Sequence, residues 1–251
     1  MFDLTGQVAV VTGGNRGIGL GFAIGLAKAG ASISVWGRNP QRNHDAMSLI
    51  SEAGGEAHAV ACDVSDETQV AEATATTLAY FGRVDSLFAN AGTSGAVSFP
   101  DLDLQTWDDM MTVNVTGTLL PVREISRHML ERGGGGSIVV TSSIGATHGL
   151  PVAPHYSASK AAQLGLVKAL AVRLGKHGIR VNAVCPGWVA TELTAPQQEH
   201  EAFTESIRTR VPLRRWGAHE DFEGIAVYLA SPASAFMTGT EIVLDGGYSA
   251  F

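Results

Sequence analysis

The chain alternates short, almost wholly apolar runs with longer stretches of helical periodicity, and few folds accept that rhythm. The short runs are Val8–Val11, Ser32–Trp36, Ala57–Ala61, Ser86–Ala89, Ser137–Thr141, Arg180–Val184 and Glu241–Leu244. Little polar alternation interrupts them, as in strands buried on both faces. Helical patterns fill the gaps, roughly Ile18–Ala29, Gln41–Ala53, Glu67–Phe81, Leu104–Arg132, His155–His177 and His219–Ala230. Strands separated by helices pair in parallel through right-handed crossovers. The pattern predicts an α/β chain: a doubly wound parallel seven-stranded sheet with helices on both faces, in a single domain over 1–251. Ser65 reads as the N-cap of a helix with Asp66 and Glu67 in its first turn. Pro40 suits a first helical turn. One segment, Ala190 to Arg215, breaks the rhythm with Pro196, Pro212 and a charged middle, and reads as a lid over a site.

Composition narrows the partners. Twenty-four acidic against seventeen basic residues give a formal net charge of −7. That balance offers no basic surface for nucleic acid. Two cysteines 123 positions apart, without a CxxC, make neither a disulfide framework nor a cysteine zinc site. No apolar run approaches the ~18 residues a membrane span needs, and the start lacks a basic leader or an apolar signal segment. The expectation is a soluble, cytoplasmic protein without nucleic-acid or membrane partners, and no metal.

Glycine is abundant, thirty of 251 residues, and confined to joints rather than spread as a linker. The first strand runs directly into Thr12-Gly13-Gly14-Asn15-Arg16-Gly17-Ile18-Gly19, and a helix follows. Strand, glycine turn and helix together suit a pyrophosphate, because glycine lets backbone N–H groups approach and the helix N-terminus adds partial positive charge. Gly17 and Gly19 are the close-approach positions. Gly21 and Gly25 lie on the helix and are expected to pack it near the sheet. The spacing departs from GxGxxG, so the turn alone also fits a purely structural role.

An NAD site usually carries an acid about 20 residues on, for the ribose 2′-hydroxyl. Here Gly37 stands 18 residues after Gly19, Arg38 follows, and the first acid is Asp45. A glycine leaves room for a 2′-phosphate and a guanidinium holds one bidentately. Arg16 reaches the same place. These residues predict NADP(H) in preference to NAD(H); Arg38 as a solvated helix-cap residue is the plainer alternative.

Tyr156-Ser-Ala-Ser-Lys160 makes the reading specific. With TGGNRGIG at 12–19, Asp63-Val64, Asn90-Ala91-Gly92, Asn114, Ser143 and Pro186-Gly187-x-Val189-x-Thr191 in order, the whole chain resembles the short-chain dehydrogenase/reductase family in its form of about 250 residues. The resemblance implies a Rossmann-type fold and a nicotinamide dinucleotide held by Gly13, Asn15, Arg16, Gly17, Ile18, Gly19 and Arg38. It implies further that Asp63, followed by Val64, contacts the adenine and that Asn90, Ala91 and Gly92 flank its ribose. Val189 and Thr191, after Pro186 and Gly187, would anchor the carboxamide. Tyr156 and Lys160 would contact the nicotinamide ribose side. It also implies a homotetramer built through the tail from Thr240 to Phe251. Asp63 as a capping carboxylate and Asn90 as a sheet-stabilising side chain are compatible structural roles.

Hydride transfer to a ketone leaves an alkoxide that needs a proton. A phenol near pKa ~10 is a poor base at neutral pH, and lowering it to ~7 takes about 4 kcal/mol at 1.36 kcal/mol per unit. A unit charge about 4 Å away supplies that order of energy at an effective dielectric near 20. Tyr156 and Lys160, four apart, share a helix face. Ser143, 13 residues earlier, is placed to steady the alkoxide, with Ser142 the adjacent alternative. Asn114 sits in an apolar helical stretch, either as a kink satisfied by water or as the holder of a water that relays protons to Lys160. The catalytic set is Asn114, Ser143, Tyr156 and Lys160. His148 and His155 read as surface histidines or pocket lining, Trp188 as pocket floor or core, and Cys185 as buried and inert. His44 and His58 have no constellation around them.

The predicted activity is an oxidoreductase that interconverts a small ketone and a secondary alcohol with NADP(H). Its stretch Arg210-Val-Pro-Leu-Arg-Arg-Trp-Gly resembles that of sugar- and polyol-acting members and of 3-oxoacyl reductases alike. A non-catalytic dinucleotide-binding regulator, or a lyase or epimerase on the same scaffold, are the competing readings.

Overall fold

A computed structural model describes residues 1–250. Seven parallel strands form one sheet in the order β3-β2-β1-β4-β5-β6-β7. They are β1 (Val8–Thr12), β2 (Ser32–Gly37), β3 (Ala57–Ala61), β4 (Ser86–Ala89), β5 (Gly136–Thr141), β6 (Ile179–Pro186) and β7 (Glu241–Leu244). The helices are α1 (Gly17–Lys28), α2 (Pro40–Glu52), α3 (Glu67–Phe81), α4 (Leu104–Met111), α5 (Gly117–Arg132), α6 (Pro154–Leu174), α7 (Ala195–Gln198), α8 (Glu201–Arg210) and α9 (Glu223–Ala230). The strand order reverses between β1 and β4, and the crevice beyond their carboxyl ends is where open α/β sheets take ligands.

Side chains alternate across the sheet with the two-residue period of a strand. Val10, Leu87, Val140 and Val181 enter one core with Val70, Ile125 and Val167 from α3, α5 and α6. Val11, Phe88, Val139 and Val184 of the same strands, at positions of opposite parity, enter the other, with Phe22 and Leu26 of α1 and Leu229 of α9. Burial on both faces holds for the inner strands. The edge strands β3 and β7 are half-exposed, because each has a neighbour on one side only.

Several local expectations need correction. The N-cap of α3 is Asp66, whose carboxylate accepts from the backbone of Thr68 (2.9 Å) and Gln69 (3.1 Å). Ser65 instead donates its hydroxyl to Asp63 at 2.6 Å; a carboxylate one residue later is better placed for the first free N–H groups. Pro40 does open α2, capped by Asn39, so Arg38 is not the cap. The single helix expected over Leu104–Arg132 is divided by a π-turn at Thr112–Thr116. Gly21 and Gly25 serve helix packing rather than the sheet. A Cβ on Gly25 would lie 2.6 Å from Glu223 Cα, and Gly21 abuts the backbone of His219, so the two glycines let α1 lie directly against α9 and the turn before it. The segment Ala190 to Arg215 is largely helical, with a 3₁₀ turn at Glu192–Thr194 followed by α7 and α8.

Since Gly25 has no room for a methyl group, Gly25→Ala should destabilise the chain by about 1–3 kcal/mol despite its better helix propensity. Urea unfolding checks this; a stabilised variant would show that α1 and α9 are not in close contact.

Candidate active site

The crevice at the strand reversal is built on one short side chain. Thr12, the last residue of β1, accepts through Oγ1 from the backbone N–H groups of Asn90 (2.9 Å) and Ala91 (3.0 Å). Asn90 returns a bond from Nδ2 to the Thr12 carbonyl at 3.1 Å. These bonds fix the segment after β4 against the glycine turn. Gly13 and Gly17 adopt φ of 63° and 51°, a region glycine enters without penalty. Asn15 donates to Asn43 Oδ1 at 2.7 Å, and Asn43 donates to the Gly37 carbonyl at 2.8 Å, which ties the turn to the end of β2.

One cavity of about 750 Å³ follows from this arrangement. Along it lie Gly13, Asn15, Arg16, Gly17, Ile18, Arg38, Asp63, Val64, Asn90, Ala91, Gly92, Ser143, Tyr156, Lys160, Pro186, Gly187, Val189 and Thr191. Gly19, expected as a close-approach position, does not line it; it packs against the Gly13 carbonyl and the Asn90 side chain instead. Asn114 sits just behind it: a Cβ on Gly92 would stand 3.1 Å from Asn114 Oδ1 and 3.6 Å from Lys160 Nζ. A cleft with bare glycine backbone at one side fits a dinucleotide, since a side chain at Gly17 would meet Thr191 at 3.1 Å and narrow it.

The polar end divides the two serines. Ser142 is buried and gives its hydroxyl to the Lys160 carbonyl at 2.9 Å. Ser143 lies in the cavity beside Tyr156, and its Oγ accepts from Gly145 N at 3.0 Å. Lys160 is 4% exposed; its Nζ donates to the Thr141 carbonyl at 2.8 Å and stands 5.6 Å from the centre of the Tyr156 ring. The two side chains therefore share one helix face of α6. Their electrostatics differ from expectation. Burial pushes the Tyr156 phenol up, against an opposing pull from the Ser143 hydroxyl. Burial also lowers Lys160 to about 8. Desolvation is the first cause of both shifts, and the ammonium spends its closest contact on the Thr141 carbonyl rather than on the phenol.

Asn114 lies in the π-turn. Its Oδ1 accepts from Thr93 N at 2.8 Å, and its Nδ2 donates to Ser159 Oγ at 2.9 Å. Ser159 in turn donates to the Tyr156 carbonyl at 2.8 Å. The Asn114 carbonyl, freed by the π-turn, accepts from Gln163 Nε2 and Thr118 Oγ1, both at 2.8 Å. Side chains thus take both its lone pairs, where a bound water was expected.

At the other end of the cavity stand three guanidinium groups, not two. Arg42, in the first turn of α2, joins Arg16 and Arg38. Asp63 holds Ser65 and lies 3.9 Å from Arg38, and both effects keep its carboxyl below the usual range. Glu192 pairs with Arg16 and Arg42. The sequence reading passed over Arg42 and Glu192, because Arg42 follows the Asn39 cap in the first turn of α2 and meets Glu192 only through the fold. Other candidates separate cleanly. His155 is buried with Nδ1 unpartnered, while His148 is exposed; Pro154 starts α6 and turns His155 inward. Trp188 packs edge-on against Phe203 of α8 and near Trp216. Cys185 is buried and its thiol is pushed up to about 11. His58 stacks on Tyr80.

A family model described as enoyl-(acyl carrier protein) reductase matches residues 12–249. Gluconate 5-dehydrogenase of Gluconobacter oxydans (strain 621H) is 36% identical over 98% of this chain and 96% of its own. A short-chain type dehydrogenase/reductase from Mycobacterium marinum superposes with a TM-score of 0.95 at 37% identity, over 100% of this chain and 98% of that one. A gluconate 5-dehydrogenase from Burkholderia cenocepacia J2315, in complex with NADP and tartrate, gives 0.94 at 33% over 100% and 98%. The chain belongs to the short-chain dehydrogenase/reductase family, a class of hydride-transferring oxidoreductases. Among the described residues no helix is long and apolar enough to cross a membrane.

The Lys160 shift is also a statement about stability. A folded value near 8 against 10.5 unfolded means the folded chain binds fewer protons between those values, so stability rises with pH there and the burial penalty is fully present below pH 8. Relative to Lys160→Met, the wild-type chain should gain roughly 3 kcal/mol across that window. Parallel urea titrations of the two proteins test this; a flat difference would place the ammonium in a solvated setting.

Proposed function

We propose that this chain interconverts a small polyhydroxy ketone and its secondary alcohol, with NADP(H) as the coenzyme. The observation that carries the reading is one cavity with Ser143, Tyr156 and Lys160 at one end and Arg16, Arg38 and Arg42 at the other. The glycine turn and Asn90 to Gly92 would hold the dinucleotide, Asp63 and Val64 its adenine, and Pro186, Gly187, Val189 and Thr191 its nicotinamide end. When bound, the nicotinamide supplies or accepts the hydride. Three guanidinium groups and Gly37 in place of an acid suit a 2′-phosphate. The sugar-acid dehydrogenases among the relatives support the substrate class.

Tyr156 is the acid and base. Its phenol, raised by burial, keeps its proton at neutral pH and donates it to the alkoxide as that forms. Ser143 donates a hydrogen bond to the same oxygen. Lys160 holds positive charge beside the phenol, so its ammonium limits how far burial can raise it. Asn114 acts through Ser159 by fixing the first turn of α6, which makes it a positioning residue. The segment 190–215 covers the substrate end as a lid. An intact Ser143, Tyr156 and Lys160 set argues against a regulator that only senses the dinucleotide. The exposed Phe236, ahead of β7, and Val243, on that edge strand, support a homotetramer; the setting we assign is soluble and cytoplasmic.

Tyr156→Phe should lower turnover by about 10²-fold or more, the usual size of a positioned acid, while the nucleotide still binds; the absorbance of NADPH with a panel of ketones and polyols reads it. Retained turnover would refute the assignment. Because the phenol starts protonated, reduction should be level through neutral pH and fall in the alkaline range, and oxidation should climb there. An oxidation rate already level at neutral pH would show an acidified phenol instead. Light scattering at micromolar concentration should give four copies; a monomer would overturn that part.

A further inference from the structure

Two of the three guanidinium groups at the dinucleotide end already hold an anion. Glu192 pairs with Arg16, and its Oε2 lies 3.0 Å from Arg42 Nη1. Arg16 comes from the glycine turn, Arg42 from the first turn of α2, and Glu192 from the 3₁₀ turn that begins the 190–215 segment. One carboxylate thus bridges three separate elements across the cavity mouth. Arg38 is held far less, 72% exposed and 3.9 Å from Asp63. All of these residues line the same cavity.

We propose that Glu192 is a coenzyme-specificity residue, an internal anion that competes with a 2′-phosphate for Arg16 and Arg42. This rests on reading the arginine cluster as a phosphate site. The chemistry of the competition is direct. A guanidinium presents a planar fork that accepts carboxylate and phosphate in the same geometry, so one group cannot serve both fully. A coenzyme with a 2′-phosphate must displace the carboxylate, whereas one with a free 2′-hydroxyl leaves the bridge intact. Glu192 therefore weakens the phosphorylated coenzyme selectively and narrows the gap between NADP(H) and NAD(H). Each of the pairs is about half-exposed and weak by itself, so the bridge yields to a phosphate and still leaves a measurable trace.

The test titrates the full chain with adenosine 2′,5′-bisphosphate and with 5′-AMP by calorimetry, for wild type, Glu192→Gln, Glu192→Asp and Arg42→Ala. Glu192→Gln should bind the 2′-phosphorylated nucleotide about three- to tenfold more tightly, the effect of removing two exposed ion pairs, with 5′-AMP unchanged. Glu192→Asp keeps the charge on a shorter stem and should fall between Gln and wild type; its thermal unfolding confirms an intact fold. Equal affinities for Glu192→Gln and wild type, or a weakened variant, overturn the proposal; weakening would make Glu192 a clasp over the nucleotide. Arg42→Ala should lose affinity for the 2′-phosphorylated nucleotide alone. If it changes neither ligand, the phosphate-site reading fails, a result distinct from failure of the Glu192 competition.

Discussion

The bonds from Thr12 to Asn90 and Ala91 hold together the two strand ends on which the site depends. At the reversal of strand order, β1 and β4 lie side by side while the chains leaving them go to opposite faces. Without a tie, the loops would splay and the crevice would have no fixed width. A threonine at that position satisfies two backbone donors, and Asn90 satisfies the Thr12 carbonyl in return. The glycine turn can then be bare backbone, because its conformation is set from beneath rather than by its own side chains.

A second constraint is the burial of ionisable groups at the other end. Lys160 and Tyr156 are carried on α6, which is anchored from two directions. Ser142 bonds the Lys160 carbonyl, and the Asn114 and Ser159 chain reaches the Tyr156 carbonyl. The π-turn at Thr112–Thr116 frees the Asn114 carbonyl, and Gln163 from α6 fills it. Such π-turns accumulate at functional positions because they expose backbone groups that a regular helix would consume. Here the exposed group locks two helices together, which keeps the phenol and the ammonium in register.

Electrostatics divides the cavity. Arg16, Arg38 and Arg42 gather positive charge at one end, and the single buried ammonium of Lys160 stands beside Tyr156 and Ser143 at the other. Glu192 belongs to the first region, although it comes from the 3₁₀ turn that opens the 190–215 segment. On the proposed reading, the coenzyme end and the lid share a residue.

Strand and helix identity, the parallel sheet and the motif residues were legible from sequence, because periodicity and glycine placement are local properties that neighbours along the chain decide. Tyr156 and Lys160 shared a face by helical spacing alone. Arg42, Glu192 and Gln163 were not legible, since each acts on a partner brought near only by the fold. The same limit explains Gly25, whose neighbour Glu223 lies almost two hundred positions away, and Ser65, where cap geometry favoured Asp66. The direction of the Tyr156 shift depended on desolvation, which no spacing reveals. Sequence by itself determined which chemical groups exist and on which faces they ride; tertiary structure decided which of them meet and how much water they keep, because contact and burial arise only when distant segments pack.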